Sequence, residues 1–162
     1  IPTFKHFPGH GDTAEDSHNG IAVSHKSKEE MEICEWRPYE SLSIENCVMV
    51  GHIAAPEITG DLTPASMSYE IVTGILRQQL NFEGVVLTDA LGMGAITNEY
   101  TSAEAAVNAI EAGCDILLCP DDLRESFEAV TESVENGTIS EERINESVYR
   151  ILRLKRMYGL IK

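Results

Sequence analysis

The chain has 162 residues, 43% hydrophobic and 24% charged, which suits one globular domain with its own apolar core. A net charge of −15 repels phosphate backbones and anionic lipid, which argues against nucleic acid and membrane surfaces as partners. No apolar run nears the roughly 20 residues of a membrane span, and no signal-peptide pattern is present. The chain begins with Ile1 rather than Met, so further sequence is expected upstream.

In chain order, "TFKHF" (Thr3–Phe7) predicts a first strand. It runs into "KHFPGHGDTAEDSH" (Lys5–His18), a loop dense in histidine and carboxylate. Residues 26–45 are helical in character, broken near Pro38. "CVMVGH" (Cys47–His52) predicts a second, buried strand ending on a polar residue. Ser68 is placed to cap a helix reaching Leu80, with Ile71, Val72, Ile75 and Leu76 as its apolar stripe. "GVVLTD" (Gly84–Asp89) predicts a third strand, "SAEAAVNAIEAG" (Ser102–Gly113) a helix, and "DILLC" (Asp115–Cys119) a fourth strand. A helix over Leu123–Gly137 and another from Ser140 complete the series. The last has Ile139 and Ile144 spaced as a hydrophobic staple, with Val148, Ile151, Leu152 and Lys155 on adjoining turns.

Continuous apolar runs of this length suit strands covered on both faces, and alternation with helices implies a parallel sheet. The fold class is α/β, with four β-α units in one domain over residues 1–162 and no internal linker. Four strands cannot close an eight-stranded barrel, which needs about 250 residues. A small doubly wound sheet and the second half of a TIM (β/α)8 barrel remain. Polar residues follow the strands (Lys5 and His6, His52, Asp89, Asp121), and sites in parallel sheets form at strand C-terminal ends, which favours the half barrel.

Cys34, Cys47, Cys114 and Cys119 form no C-x-x-C pair; Cys47 and Cys114, beside apolar runs, read as small core residues. His6, His10, Asp12, Asp16 and His18 have side chains that suit a divalent ion, but a polar surface loop has the same composition. Asp89 follows an apolar strand, where a carboxylate meets a cleft; it is equally placed to serve as a turn residue or cap. The following "LGMG" lets a ligand approach the backbone closely.

Two stretches go further. "KHFPGHGDTAEDSH" resembles the signature loop of family 3 glycoside hydrolases, in the branch of bacterial β-N-acetylglucosaminidases (β-hexosaminidases). "PASMSYEIVTGILRQQLNFEGVVLTDALGMGAI" resembles the segment carrying that family's nucleophile, and "AGCDILLCP" continues the likeness. The resemblance implies the second half of the catalytic barrel, with the N-terminal half absent. It implies Asp89 as nucleophile, His18 as general acid/base and Asp16 as its partner. It further implies that Lys5 and His6 bind sugar hydroxyls and that Met93 lines the N-acetyl pocket. His10 is expected to hold the loop; His25 and His52 are read as surface residues or supports behind the site. No cofactor and no metal are expected.

The implied chemistry is retaining exo-hydrolysis of terminal β-linked N-acetylglucosamine through a glycosyl-enzyme intermediate. Retaining enzymes usually set two carboxyls about 5–5.5 Å apart. Here an imidazole takes the place of one, titrating near neutrality, with Asp16 available to fix its tautomer. The implied partners are an N-acetylglucosamine-containing glycan, and the missing half-barrel or a second copy of the chain. Two other readings stand beside this one: a half-barrel inactive until paired, and a metal-dependent hydrolase using the histidine loop.

Overall fold

The computed structural model describes residues 1–11, 13 and 20–162. Its centre is a four-stranded sheet built from β1 (Thr3–Phe7), β3 (Cys47–Val50), β5 (Val85–Ala90) and β6 (Ile116–Leu118). Two short strands, β2 (Ala22–Val23) and β4 (Ile53–Ala54), pair separately and in parallel; the sequence pattern was too brief to announce them. The main sheet has the order β1-β3-β5-β6, and every pairing is parallel. Each new strand joins the far side of the one before. A doubly wound sheet reverses direction at a switch point, whereas a barrel adds strands in sequence. The order therefore decides for a segment of a barrel.

The helices fill the connections. α1 (Lys28–Ile33) opens with a reciprocal Ser27/Glu30 capping box, and a 3-10 turn at Arg37–Tyr39 takes Pro38 in its first positions. After α2 (Pro56–Thr59), residues Glu70–Gln79 wind as a π-helix, closed by Leu80 N–H to the Ile75 carbonyl at 2.9 Å. The cap position falls on Tyr69, one residue after the expected Ser68, whose Oγ still accepts from Ile71 N–H. After the short α3 (Gly94–Thr97), α4 (Ser102–Ala112) begins at Ser102 as expected, behind a Thr101/Glu104 capping box. α5 (Leu123–Glu135) is capped by Asp122, and α6 (Glu141–Met157) by Ser140 as expected. None of the described helices is long and apolar enough to cross a membrane.

Strand alternation sends Val48, Val50 and Val86 to one face, where they meet Phe7, Trp36, Tyr39, the apolar stripe of the π-helix, and Ala109 and Ala112 of α4. Phe7 stands edge-on to Tyr39, ring centres 5.0 Å apart. Each fully buried Val, Leu, Ile or Phe contributes roughly 1.5–3 kcal/mol. On the opposite face Cys47, Val85 and Leu87 pack with Ile151 and Leu154 of α6. The inner strands are thus covered on both sides. The outer ones are less so: Phe4 on β1 and Ile116 on β6 are exposed.

A polar knot ties the N-terminal ends of the strands. Asp115, just before β6, has a fully buried side chain. It pairs with Arg77 at 2.7 Å and Arg150 at 3.1 Å, with Arg143 at 3.8 Å, and accepts bonds from Ser147 Oγ and Val86 N–H. One carboxylate thereby joins the π-helix, α6 and β5.

Candidate active site

The C-terminal strand ends carry those of the singled-out groups that are described: Lys5, His6 and Asp89, with Met93 in the turn that follows. Asp89 is the penultimate residue of β5, and its side chain is 19% exposed, largely withdrawn from solvent. Ala90 N–H donates to Asp89 Oδ1 at 2.8 Å. The other oxygen, Oδ2, lies 3.4 Å from His6 Nε2, longer than the usual hydrogen bond of about 2.7–3.2 Å. Lys5, beside His6 on β1, is exposed and makes no ion pair with Asp89. Met93 is half-buried, and its N–H donates to the Ala90 carbonyl at 3.1 Å.

The turn that follows Asp89 is anchored to the neighbouring strand. Leu91 N–H donates to Leu118 O at 2.8 Å, and Gly92 N–H to Cys119 O at 3.0 Å. A Cβ at Gly92 would sit 3.3 Å from that Cys119 oxygen, which accounts for glycine at this point of the "LGMG" run.

His10 stacks edge-on near His6, ring centres 6.1 Å apart, and bonds Thr13 through Nδ1, in keeping with a role in holding the loop. His18 and Asp16, expected as acid/base and partner, lie outside the described residues, as does Asp12. Of the five residues considered as a metal set, only His6 and His10 are described. Among the described residues no group of three His, Cys, Asp or Glu side chains is placed to hold a metal ion.

His25 is exposed, but His52 is not a surface residue: it is 1% exposed. Its Nδ1 lies 2.8 Å from Ser66 Oγ and its Nε2 3.0 Å from the Ala90 carbonyl. Burial pushes its pKa below the ordinary 6.5, against the opposing pull of the Ala90 carbonyl and Asp89. The sequence signal was available, since His52 closes an apolar run just as Asp89 closes the next.

The four cysteines are free thiols. Cys47 and Cys114 are buried as expected, and burial pushes the Cys114 thiol up to about 12.

Beta-hexosaminidase A of Pseudoalteromonas piscicida is 30% identical to the chain, over 96% of this chain and 30% of that protein. A solved glycoside hydrolase family 3 beta-N-acetylglucosaminidase from Paenibacillus sp. str. FPU-7 is 40% identical, with a TM-score of 0.89 over 95% of this chain and 30% of that one. The solved beta-glucoside phosphorylase BglX is 34% identical, with a TM-score of 0.89 over 98% of this chain and 30% of that one. The chain thus spans 30% of the length of each of these relatives. Residues 1–154 match the family described as glycosyl hydrolase family 3 N-terminal domain, and the chain belongs to that family.

Proposed function

We propose that the chain carries the nucleophile and acid/base of a retaining exo-β-N-acetylhexosaminidase acting on terminal β-linked N-acetylglucosamine. The observation that carries this reading is the approach of His6 to Asp89 at the C-terminal ends of two parallel strands. Asp89 attacks the anomeric carbon and forms a glycosyl-enzyme ester while His18 gives its proton to the departing oxygen. Water then attacks the same carbon as His18 takes a proton back, and Asp89 is released with net retention. Asp16 steadies the imidazole, Lys5 and His6 hold sugar hydroxyls, and Met93 borders the N-acetyl group. Support of Asp89 by Ala90 N–H, and of the turn after it by the Leu118 and Cys119 carbonyls, favours this role, because a nucleophile displaced by about 1 Å loses roughly a hundredfold in rate.

In this reading the outer strands β1 and β6 are completed by the remaining β-α units of the barrel, or by a second copy of the chain. Size-exclusion chromatography and assay of residues 1–162 alone separate an active chain from one that is inactive until paired. The reading as a whole is tested with an aryl β-N-acetylglucosaminide and the whole protein. A covalent glycosyl adduct on the peptide containing Asp89 supports it; turnover by Asp89→Asn at the wild-type rate overturns it. Loss of activity on treatment with chelator would turn the assignment towards metal-dependent hydrolysis.

The likeness to a beta-glucoside phosphorylase favours one further possibility, that inorganic phosphate replaces water as acceptor. A neutral imidazole repels an incoming anion less than a carboxylate does. Formation of a sugar 1-phosphate in phosphate buffer would show phosphorolysis, and free sugar alone hydrolysis.

A further inference from the structure

The nucleophile's turn is held from three directions, and the third is a buried imidazole. The Ala90 carbonyl accepts from Met93 N–H at 3.1 Å and also faces His52 Nε2 at 3.0 Å. A carbonyl only accepts, so Nε2 must carry the proton in this contact. Nδ1 is then the acceptor, and Ser66 Oγ–H at 2.8 Å is the donor that satisfies it. Ser66 is itself fully buried and fixed by its N–H to the Gly51 carbonyl at 3.2 Å. A continuous line of bonds therefore runs Ser66 O–H to His52, His52 N–H to Ala90 O, and Ala90 N–H to Asp89 Oδ1.

Resting on the glycosidase reading above, we propose that His52 is a positioning residue of the reaction. As the Nε2–H tautomer it locks the Ala90 carbonyl, and through that residue's backbone it sets the direction of the Asp89 carboxylate. His52 touches neither sugar nor reacting atoms in this role. Its ring is placed by Ser66, it enters from the segment after β3, and it acts on the end of β5. It thus joins two strand ends that the sheet ladder no longer connects: the β3–β5 register ends at Val50 and Thr88.

Loss of this donor leaves the Ala90 carbonyl with the Met93 bond and strips the Ser66 hydroxyl of its acceptor. The turn is then free to tilt. Because the geometry of attack is at stake rather than sugar affinity, the effect falls on kcat and spares KM.

The test uses the whole protein and an aryl β-N-acetylglucosaminide with a good leaving group, so that proton donation does not limit the rate. His52→Met fills the space without a donor; His52→Gln places an amide N–H near the former Nε2; Ser66→Ala is a milder variant that keeps the ring. We expect His52→Met to lower kcat by about a hundredfold with KM within about twofold. His52→Gln should recover at least about tenfold of that loss, and Ser66→Ala should fall between. Thermal unfolding of each variant separates these effects from loss of fold, and Ser66→Ala carries the test if His52→Met does not fold. Long-range ¹H–¹⁵N spectra of the wild type report the ring directly, and the expected pattern at neutral pH is protonated Nε2 with bare Nδ1.

A folded His52→Met variant with wild-type kcat, or equal losses in the Met and Gln variants, overturns the proposal. So does an Nδ1–H tautomer or an imidazolium at neutral pH. A wild-type protein inactive on aryl glycosides defeats the glycosidase reading instead; the tautomer measurement then decides the bond line on its own.

Discussion

His6 Nε2 and Asp89 Oδ2 lie 3.4 Å apart although β1 and β5 are not neighbours, because β3 runs between them. The approach depends on what β3 lacks at its end. Gly51 follows the last β3 residue, and a Cβ built there would stand 3.2 Å from His6 Cβ and 3.4 Å from Ile53 Cδ1. A side chain at that point would crowd the imidazole on its way across the strand.

Gly51→Ala is therefore expected to push His6 by a few tenths of an ångström while preserving the fold. Steady-state assays should show kcat/KM down by about three- to tenfold, with the unfolding midpoint little changed. An unaffected kcat/KM would mean that His6 reaches Asp89 without needing the gap.

Asp89→Asn should separate chemistry from stability. The asparagine Oδ1 can still accept from Ala90 N–H, so the turn keeps its bond. The amide is no nucleophile, and kcat should fall by about 10⁴- to 10⁶-fold. Thermal unfolding of the same preparation should match the wild type.

Asp115→Ala should do the opposite. Removing this carboxylate strands Arg77, Arg143 and Arg150 around a buried space without their shared counter-charge. Breaking a buried pair from one side costs about 3–5 kcal/mol, measurable by urea unfolding. The fraction that remains folded should keep its kcat, since the knot lies at the end of the strands away from Asp89.

His52 also gives the stability a pH dependence of known sign. Its folded pKa is depressed by burial below the ordinary 6.5, so below that value the unfolded chain binds the extra proton and the folded one does not. Its contribution is complete above about pH 6.5 and is lost as pH falls from there through the depressed value. Melting temperatures between pH 7.5 and 5 should decline more steeply for the wild type than for His52→Gln.

Thiol titration checks the core. Cys34 and Cys119 are exposed, whereas Cys47 and Cys114 are buried with their thiols pushed up. In residues 1–162 an aromatic disulfide reagent should consume the first pair quickly and the second only with denaturant. Rapid reaction at Cys114 would contradict its place beside the π-helix and α4.

The four strands of the main sheet were legible because buried parallel strands leave continuous apolar runs, and the same pattern placed Asp89 at a strand end while leaving its role to the family resemblance. Strand order was not: both sheet topologies share the same alternation, and only the pairing of β1 with β3 and β5 with β6 separates them. The π-helical winding of Glu70–Gln79 was hidden because its stripe of Ile71, Val72, Ile75 and Leu76 also fits an α-helix. His52 was left between surface residue and support for a related reason. Its partners, Ser66 and Ala90, lie 14 and 38 residues away, and no local pattern announces a bond of that span. His18 and Asp16 stay where the sequence left them, outside the described residues.

The Asp115 knot and the Asp89 turn sit at opposite ends of the same strand, joined by only the Val86 to Asp89 stretch. Substitution at the Asp89 rim can accordingly proceed without loosening the clasp at the other. A scaffold divided in this way can vary its site at little cost to its stability.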